Sequence, residues 1–225
     1  TRKGNAKVNS WYDGVYIENN SVIRADRTAI NVSSAWWCRI EVGCTSGTGY
    51  VPHHNVVIRN NYVEDSGGDA IVPINAEAAL VEYNLVNGAN VNSNTHNAGI
   101  WTWNADNTLF QYNEAYNVQS TLDGQGFDID FGQDGTTFQY NYSHDNIGGF
   151  FLIATSPSGS TTNSVIRYNI SQNDHERLFH LGGRADGVKI YNNTMYLPTN
   201  ATTKPMLVTS WGNNKYPSNI EFYNN

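Results

Sequence analysis

The 225-residue chain is predicted to be an all-β solenoid of stacked parallel strands, a β-helix of about seven to eight rungs, on three observations. A six-residue phrase ending in Asn recurs along its whole length. Helix formers are scarce, and no stretch sustains an apolar period of 3.6 residues. Val, Ile, Tyr, Phe and Thr dominate the apolar runs, and these residues suit a pleated, half-buried surface.

The phrase occupies residues 15–20, 56–61, 79–84, 108–113, 136–141, 164–169, 188–193 and 220–225. It reads Val-Tyr-Ile-Glu-Asn-Asn at its first occurrence and Thr-Thr-Phe-Gln-Tyr-Asn at its fifth. The closing residues are Asn20, Asn61, Asn84, Asn113, Asn141, Asn169, Asn193 and Asn225, at intervals of 41, 23, 29, 28, 28, 24 and 32. A period in the twenties with variable insertions belongs to a solenoid. Each phrase alternates apolar with polar or aromatic residues, as a short strand does. Asn tolerates the left-handed backbone conformation and bonds nearby backbone, so it is expected to end the strand in a turn. Asn side chains stacked rung upon rung are expected to bond one another along the axis.

A second strand follows each turn by a dozen or so residues. Lined up, these strands are 70–74, 99–103, 126–130, 149–153, 177–181 and 205–209. Side chains alternate faces with period two. With Phe127 and Ile129 inward, Asp128 and Asp130 face outward. The same alignment turns Trp101 and Trp103 outward on the rung before, Phe151 and Ile153 on the rung after, and Phe179 beyond. The result is an aromatic column with two carboxylates in its middle, the outline of a polysaccharide or oligosaccharide site. The alternative is a second core covered by the insertions after Cys38, Asn84 or Ala154.

Asp128 and Asp130 are the leading catalytic candidates. Two residues apart on one strand, their Cα atoms lie about 6.5–7 Å apart. Glycoside hydrolysis uses one carboxylic acid and one carboxylate, and crowding two carboxyls raises the pKa of one. Asp123, in a Gly-rich segment just before them, and Glu176, about two rungs on, are further catalytic candidates. The three aspartates are alternatively a calcium site, or a device that fixes backbone amides. His144, Arg177 and Arg184 join the aromatics as candidate substrate contacts, Arg184 through bidentate recognition of a carboxylate. A lyase would use Arg177 or Arg184 as its base, with calcium on the aspartates; a non-catalytic binder or adhesin would grip glycans through Trp101 and Trp103. A hydrolase requires no cofactor.

The repeats, with the Gln139–Asn146 segment Gln-Tyr-Asn-Tyr-Ser-His-Asp-Asn, resemble the right-handed parallel β-helix superfamily that includes pectate lyases, polygalacturonases and phage tailspikes. The resemblance spans nearly the whole chain as a single domain, residues 1–225, and implies right-handed coiling and a carbohydrate-active role. Neither the Asn-Thr-Asp, Gly-His-Gly and Arg-Ile-Lys motifs of polygalacturonases nor the Trp-x-Asp-His segment of pectate lyases occurs here. No catalytic residue can therefore be carried over from those families, and fold alone does not fix function.

Composition narrows the partners. Charged residues make up 15% of the chain and the net charge is −7, which argues against nucleic acid and anionic membranes. No apolar run reaches 18 residues. Cys38 and Cys44, the only two cysteines, are expected to pair, which suits a secreted or cell-surface protein. A start at Thr1 and an end inside a repeat phrase lead us to expect truncated ends. The oligomeric state is not legible.

Overall fold

The computed structural model describes residues 8–45, 49–93, 95–211 and 214–225. It is a parallel β-helix with three long sheets. The first sheet contains the eight repeat phrases, ordered from Asp13–Glu18 to Glu221–Tyr223. The second has seven strands, from Ser21–Ile23 to Thr194–Tyr196, each just past the Asn turn. The third also has seven: Ile30–Val32, Ile71–Pro73, Ile100–Thr102, Gln125–Ile129, Gly149–Ile153, Arg177–Gly182 and Lys204–Thr209. Every pairing within these sheets is parallel, and parallel crossovers coil right-handedly in almost all cases.

The Asn residues form the expected ladder. From Asn20 to Asn225 each Nδ2 donates to the next Oδ1 at 2.8–3.0 Å. The backbone N–H of each donates to that same oxygen. The left-handed residue is the one before: Asn19, Asn60, Tyr83, Tyr112, Tyr140, Tyr168, Asn192 and Asn224, with φ of 53–58°. Tyrosine is an uncommon choice there. Four successive tyrosines offset that strain by stacking, with centroids 5.0–5.3 Å apart.

The interior is filled by complementary columns. On three consecutive rungs the first sheet contributes Phe110, Phe138 and Ile166, while the third contributes Phe127, Phe151 and Phe179. Opposite them the second sheet narrows to Ala115, Ser143 and Ser171, which keeps the volume of a close-packed core constant. Phe110 and Phe138 stack at 4.1 Å.

This packing corrects the outward assignment of Phe151, Ile153 and Phe179. All three lie in the core, at most 1% exposed. Gly149 pairs with Gln125 rather than Gly126, so Phe151 falls level with Phe127 and Leu152 level with Asp128. A slip of one residue moves every side chain to the opposite face.

Candidate active site

The outer face of the third sheet carries two columns of side chains. Trp101, Asp128, Leu152 and His180 form one by register. Trp103, Asp130, Ala154 and Gly182 continue on the next outward positions of the same rungs. Asp123, Asp128, Asp130, His96, Phe131, Leu152, Ala154 and Trp211 line a cleft of about 280 Å³. The sequence-predicted aspartates are thus brought together on the outer face of the sheet, Asp128 one strand from Trp101, while Asp128, Leu152, Ala154 and His180 are themselves nearly covered.

Asp128 is 5% exposed, and its Oδ1 lacks a hydrogen-bond partner among the described residues. Burial, with the charges of Asp130, Asp123 and Asp69, raises its pKa well above the carboxylate range. Asp130 is half-buried, with Oδ1 accepting from the Phe131 N–H at 3.0 Å. Burial is again the main cause that pushes Asp130 up to about 8; that N–H opposes the shift, while Asp123 and Asp69 add to it. Asp123 is half-buried and rises only to about 6, because His96 and Arg177 counter the effect of burial. Asp69 lies beneath, 7% exposed, and accepts from Trp101 Nε1 at 2.9 Å, which fixes the indole.

Arg177 sits at the edge of this cluster. Its guanidinium donates to the Asp123 carbonyl at 3.4 Å. With the Gln125 amide oriented to satisfy both its ends, Arg177 also donates to Gln125 Oε1, and Gln125 donates to Asp123. Burial holds the arginine's pKa below its ordinary value.

The remaining sequence candidates lie elsewhere. Glu176 is exposed in the turn before Arg177 and lines a separate groove with His175 and Lys204. His144 is on the second sheet, paired with Asp145 at 2.7 Å and Glu114 at 3.1 Å between two tyrosine rings. Arg184 is exposed in a third groove with Asp186 and Lys215. These three are therefore not part of the aspartate cleft. Repeat register places residues along the axis but not around it, so it does not show which of them share a face. Among the described residues, no three His, Cys, Asp or Glu side chains are grouped to hold a metal ion, so the geometry lends the calcium reading of Asp123, Asp128 and Asp130 no support.

His180 and Trp211 escape the sequence reading. His180 faces outward two rungs from Asp128, its Nε2 2.8 Å from Thr209 Oγ1 and its ring edge-on to Trp211 at 5.4 Å. Burial, aided by Arg177, lowers its pKa to about 4, so the ring is neutral. The corrected register would have found His180. Trp211 lies beyond the last third-sheet strand and carries no repeat signal. The insertion after Val32 adds a wall: Trp37 packs on Trp103 at 5.6 Å, and Trp103 meets Phe131 edge-on at 5.6 Å. Cys38 and Cys44 form a disulfide within it.

The chain is thus a parallel β-helix that carries a cleft lined by three aspartates and Trp211 on the outer face of its third sheet. The model of the right handed beta helix region matches residues 4–195, and the chain belongs to that family. It is similar to a lacto-N-biosidase of Bifidobacterium longum subsp. longum, 35% identical over 212 residues, covering 84% of this chain and 13% of that protein. It is also similar to crystal structures of GH136 lacto-N-biosidase from Eubacterium ramulus. The selenomethionine derivative superposes with a TM-score of 0.60 and the native protein with 0.58, each at 29% identity over 76% of this chain and 29% of that one. The chain therefore spans about an eighth of the Bifidobacterium protein.

Proposed function

We propose that this β-helix carries the active site of a glycoside hydrolase acting on a neutral oligosaccharide, with Asp130 as general acid and Asp123 as the carboxylate that activates water or attacks the anomeric carbon. One observation carries this reading: two half-buried carboxyls share a cleft, and their surroundings push them to about 8 and about 6. Near neutrality the first holds a proton and the second does not, which is the division of labour glycoside hydrolysis needs. This moves the leading pair from Asp128 and Asp130 to Asp123 and Asp130. Asp128 is 5% exposed in the wall of the cleft, and in this reading it keeps its proton and does not itself react.

Trp101, Trp103 and Trp211 supply ring faces and edges for sugar stacking, and the ionised Asp123 disfavours a uronate. The lyase alternative loses one of its two bases, since Arg184 lies outside the cleft. The similarity to lacto-N-biosidases makes a lacto-N-bioside the first substrate to test. We further propose that the reaction needs no metal, and that the protein is secreted or displayed at the cell surface, where a disulfide such as Cys38–Cys44 persists.

The test is release of chromophore from an aryl lacto-N-bioside, together with reducing-end release from an oligosaccharide panel. Asp123→Asn and Asp130→Asn should each lower kcat by about 10²–10⁴-fold with little change in melting temperature. A chelator should leave the rate unchanged. Wild-type turnover in either folded variant would remove that aspartate from the mechanism.

A further inference from the structure

The insertion between Val32 and Val51 carries a half-buried arginine. Arg39 lies inside the disulfide loop, followed by a 3-10 turn at Ile40–Val42 and a left-handed Gly43. Its side chain is 12% exposed. Nη1 and Nη2 donate to both oxygens of Asp106, at 2.6 and 2.9 Å, and Nε donates to Asn104 Oδ1 at 2.6 Å. Nη2 also donates to the Gly132 carbonyl. The guanidinium lies 4.2 Å from the centre of the Tyr50 ring. A forked pair of this kind fixes geometry as well as charge, and a lysine could not reproduce it in full.

The partners of Arg39 converge on one turn. Gly132 is the second residue after Asp130, in a left-handed conformation at φ 79°, and a side chain there would collide with Val42 of the insertion. Asp106 Oδ1 accepts from the Asp134 N–H at 3.0 Å, and the Gly132 N–H donates to the Ser160 carbonyl at 2.8 Å. The Ser160 N–H in turn donates to the Glu41 carbonyl of the disulfide loop. The turn so held begins with Phe131, whose N–H is the hydrogen-bond donor to Asp130.

We propose that Arg39 is a positioning residue for Asp130. It locks the disulfide-closed loop onto the turn at 131–134 and so keeps the Phe131 N–H aimed at the Asp130 carboxylate. The assignment of a catalytic consequence rests on Asp130 being the acid; the physical coupling does not.

The coupling can be read without turnover. A hydrogen bond from an N–H favours the ionised carboxylate, so losing it raises the pKa. Asp123 and Asp69 also act on Asp130, Asp130 acts on Asp128, His96 lines the cleft and Arg177 acts on Asp123; none of these groups is a hydrogen-bond partner of Arg39. The experiment follows the Asp130 carboxyl by carbon-13 NMR through a pH titration, with the signal assigned by Asp130→Asn. In Arg39→Gln the Asp130 midpoint should rise by about one pH unit. Arg39→Lys should restore part of the shift. The double substitution Cys38→Ser with Cys44→Ser, or dithiothreitol on the wild type, should move the midpoint the same way by less. An unchanged midpoint in folded Arg39→Gln overturns the proposal. Should that variant fail to fold, Asp106→Asn decides on the same criterion. If the wild type hydrolyses no glycan while the midpoint still follows Arg39, the functional reading fails and the coupling stands.

Discussion

Asp128 is 5% exposed, and one of its carboxyl oxygens has no partner among the described residues. Its pKa in the folded chain is raised, chiefly by burial. The native state therefore holds a proton that the unfolded state releases above about pH 4. By linkage the cost is absent below that pH, grows as pH rises, and is complete above the folded pKa. An asparagine in its place would keep the shape without the titration. We predict that Asp128→Asn raises the melting temperature, with a gain larger at pH 8 than at pH 5, as calorimetry at the two pH values would show. A gain that does not vary with pH would mean that Asp128 is ionised in the fold. The three aspartates were legible in the sequence because they fall in one strand and its Gly-rich approach. Arg39 was not, because its partners Asn104, Asp106 and Gly132 are 65–93 residues away and outside the repeat phrases.

At the level of the strand, the first sheet was readable throughout because each phrase ends in an Asn that must meet its neighbours. Asn141 shows why. It accepts from the backbone and side chain of Asn113 and donates to Asn169 and to the Phe110 carbonyl, all while 2% exposed. Asn141→Ala strands buried donors on Asn113 and should destabilise by about 2–4 kcal/mol, measured by denaturant melts. A loss under about 1 kcal/mol would show that water substitutes for the rung. The third sheet was harder to read. Its strands contain Phe150-Phe151 and Arg177-Leu-Phe-His-Leu, in which either parity buries an aromatic or a leucine. Here the core decides: Phe151 must fall level with Phe127 to complement Ser143. Phe151→Ala is accordingly predicted to cost about 3–5 kcal/mol of stability, whereas Trp101→Ala, which removes a donor from Asp69, should cost less, about 1–3 kcal/mol, and weaken glycan binding. Comparison of their melts with their affinities for the same oligosaccharide distinguishes the two roles, and a stable Phe151→Ala with lost affinity would restore the outward alignment.

For the whole molecule, chemistry and stability respond to pH with different signs. Asp69, Asp123, Asp128 and Asp130 all have raised pKa values with burial as the first cause, so their joint contribution makes the fold less stable as pH climbs from about 4 toward 8. Turnover requires the reverse at one end of that range. Asp123 must lose its proton, so kcat/KM should rise as pH passes about 6; Asp130 must keep its own, so the rate should fall as pH passes about 8. The predicted profile is a bell between those limbs, and its two midpoints belong to the pair because the groups share one cleft and each charge opposes the other's ionisation. A solenoid transmits such strain only to adjacent rungs, so the stability loss belongs to the rungs bearing these aspartates and not to the ends. Amide exchange should show it: protection along Gln125–Ile129 should fall, relative to the distant first-sheet strand Lys189–Tyr191, as pH rises from 5 to 8 after correction for intrinsic exchange. Uniform loss of protection along both strands would mean that the chain unfolds as one cooperative unit. A rate that climbs monotonically through pH 8 would remove Asp130 as the acid, since its proton would then have left without consequence.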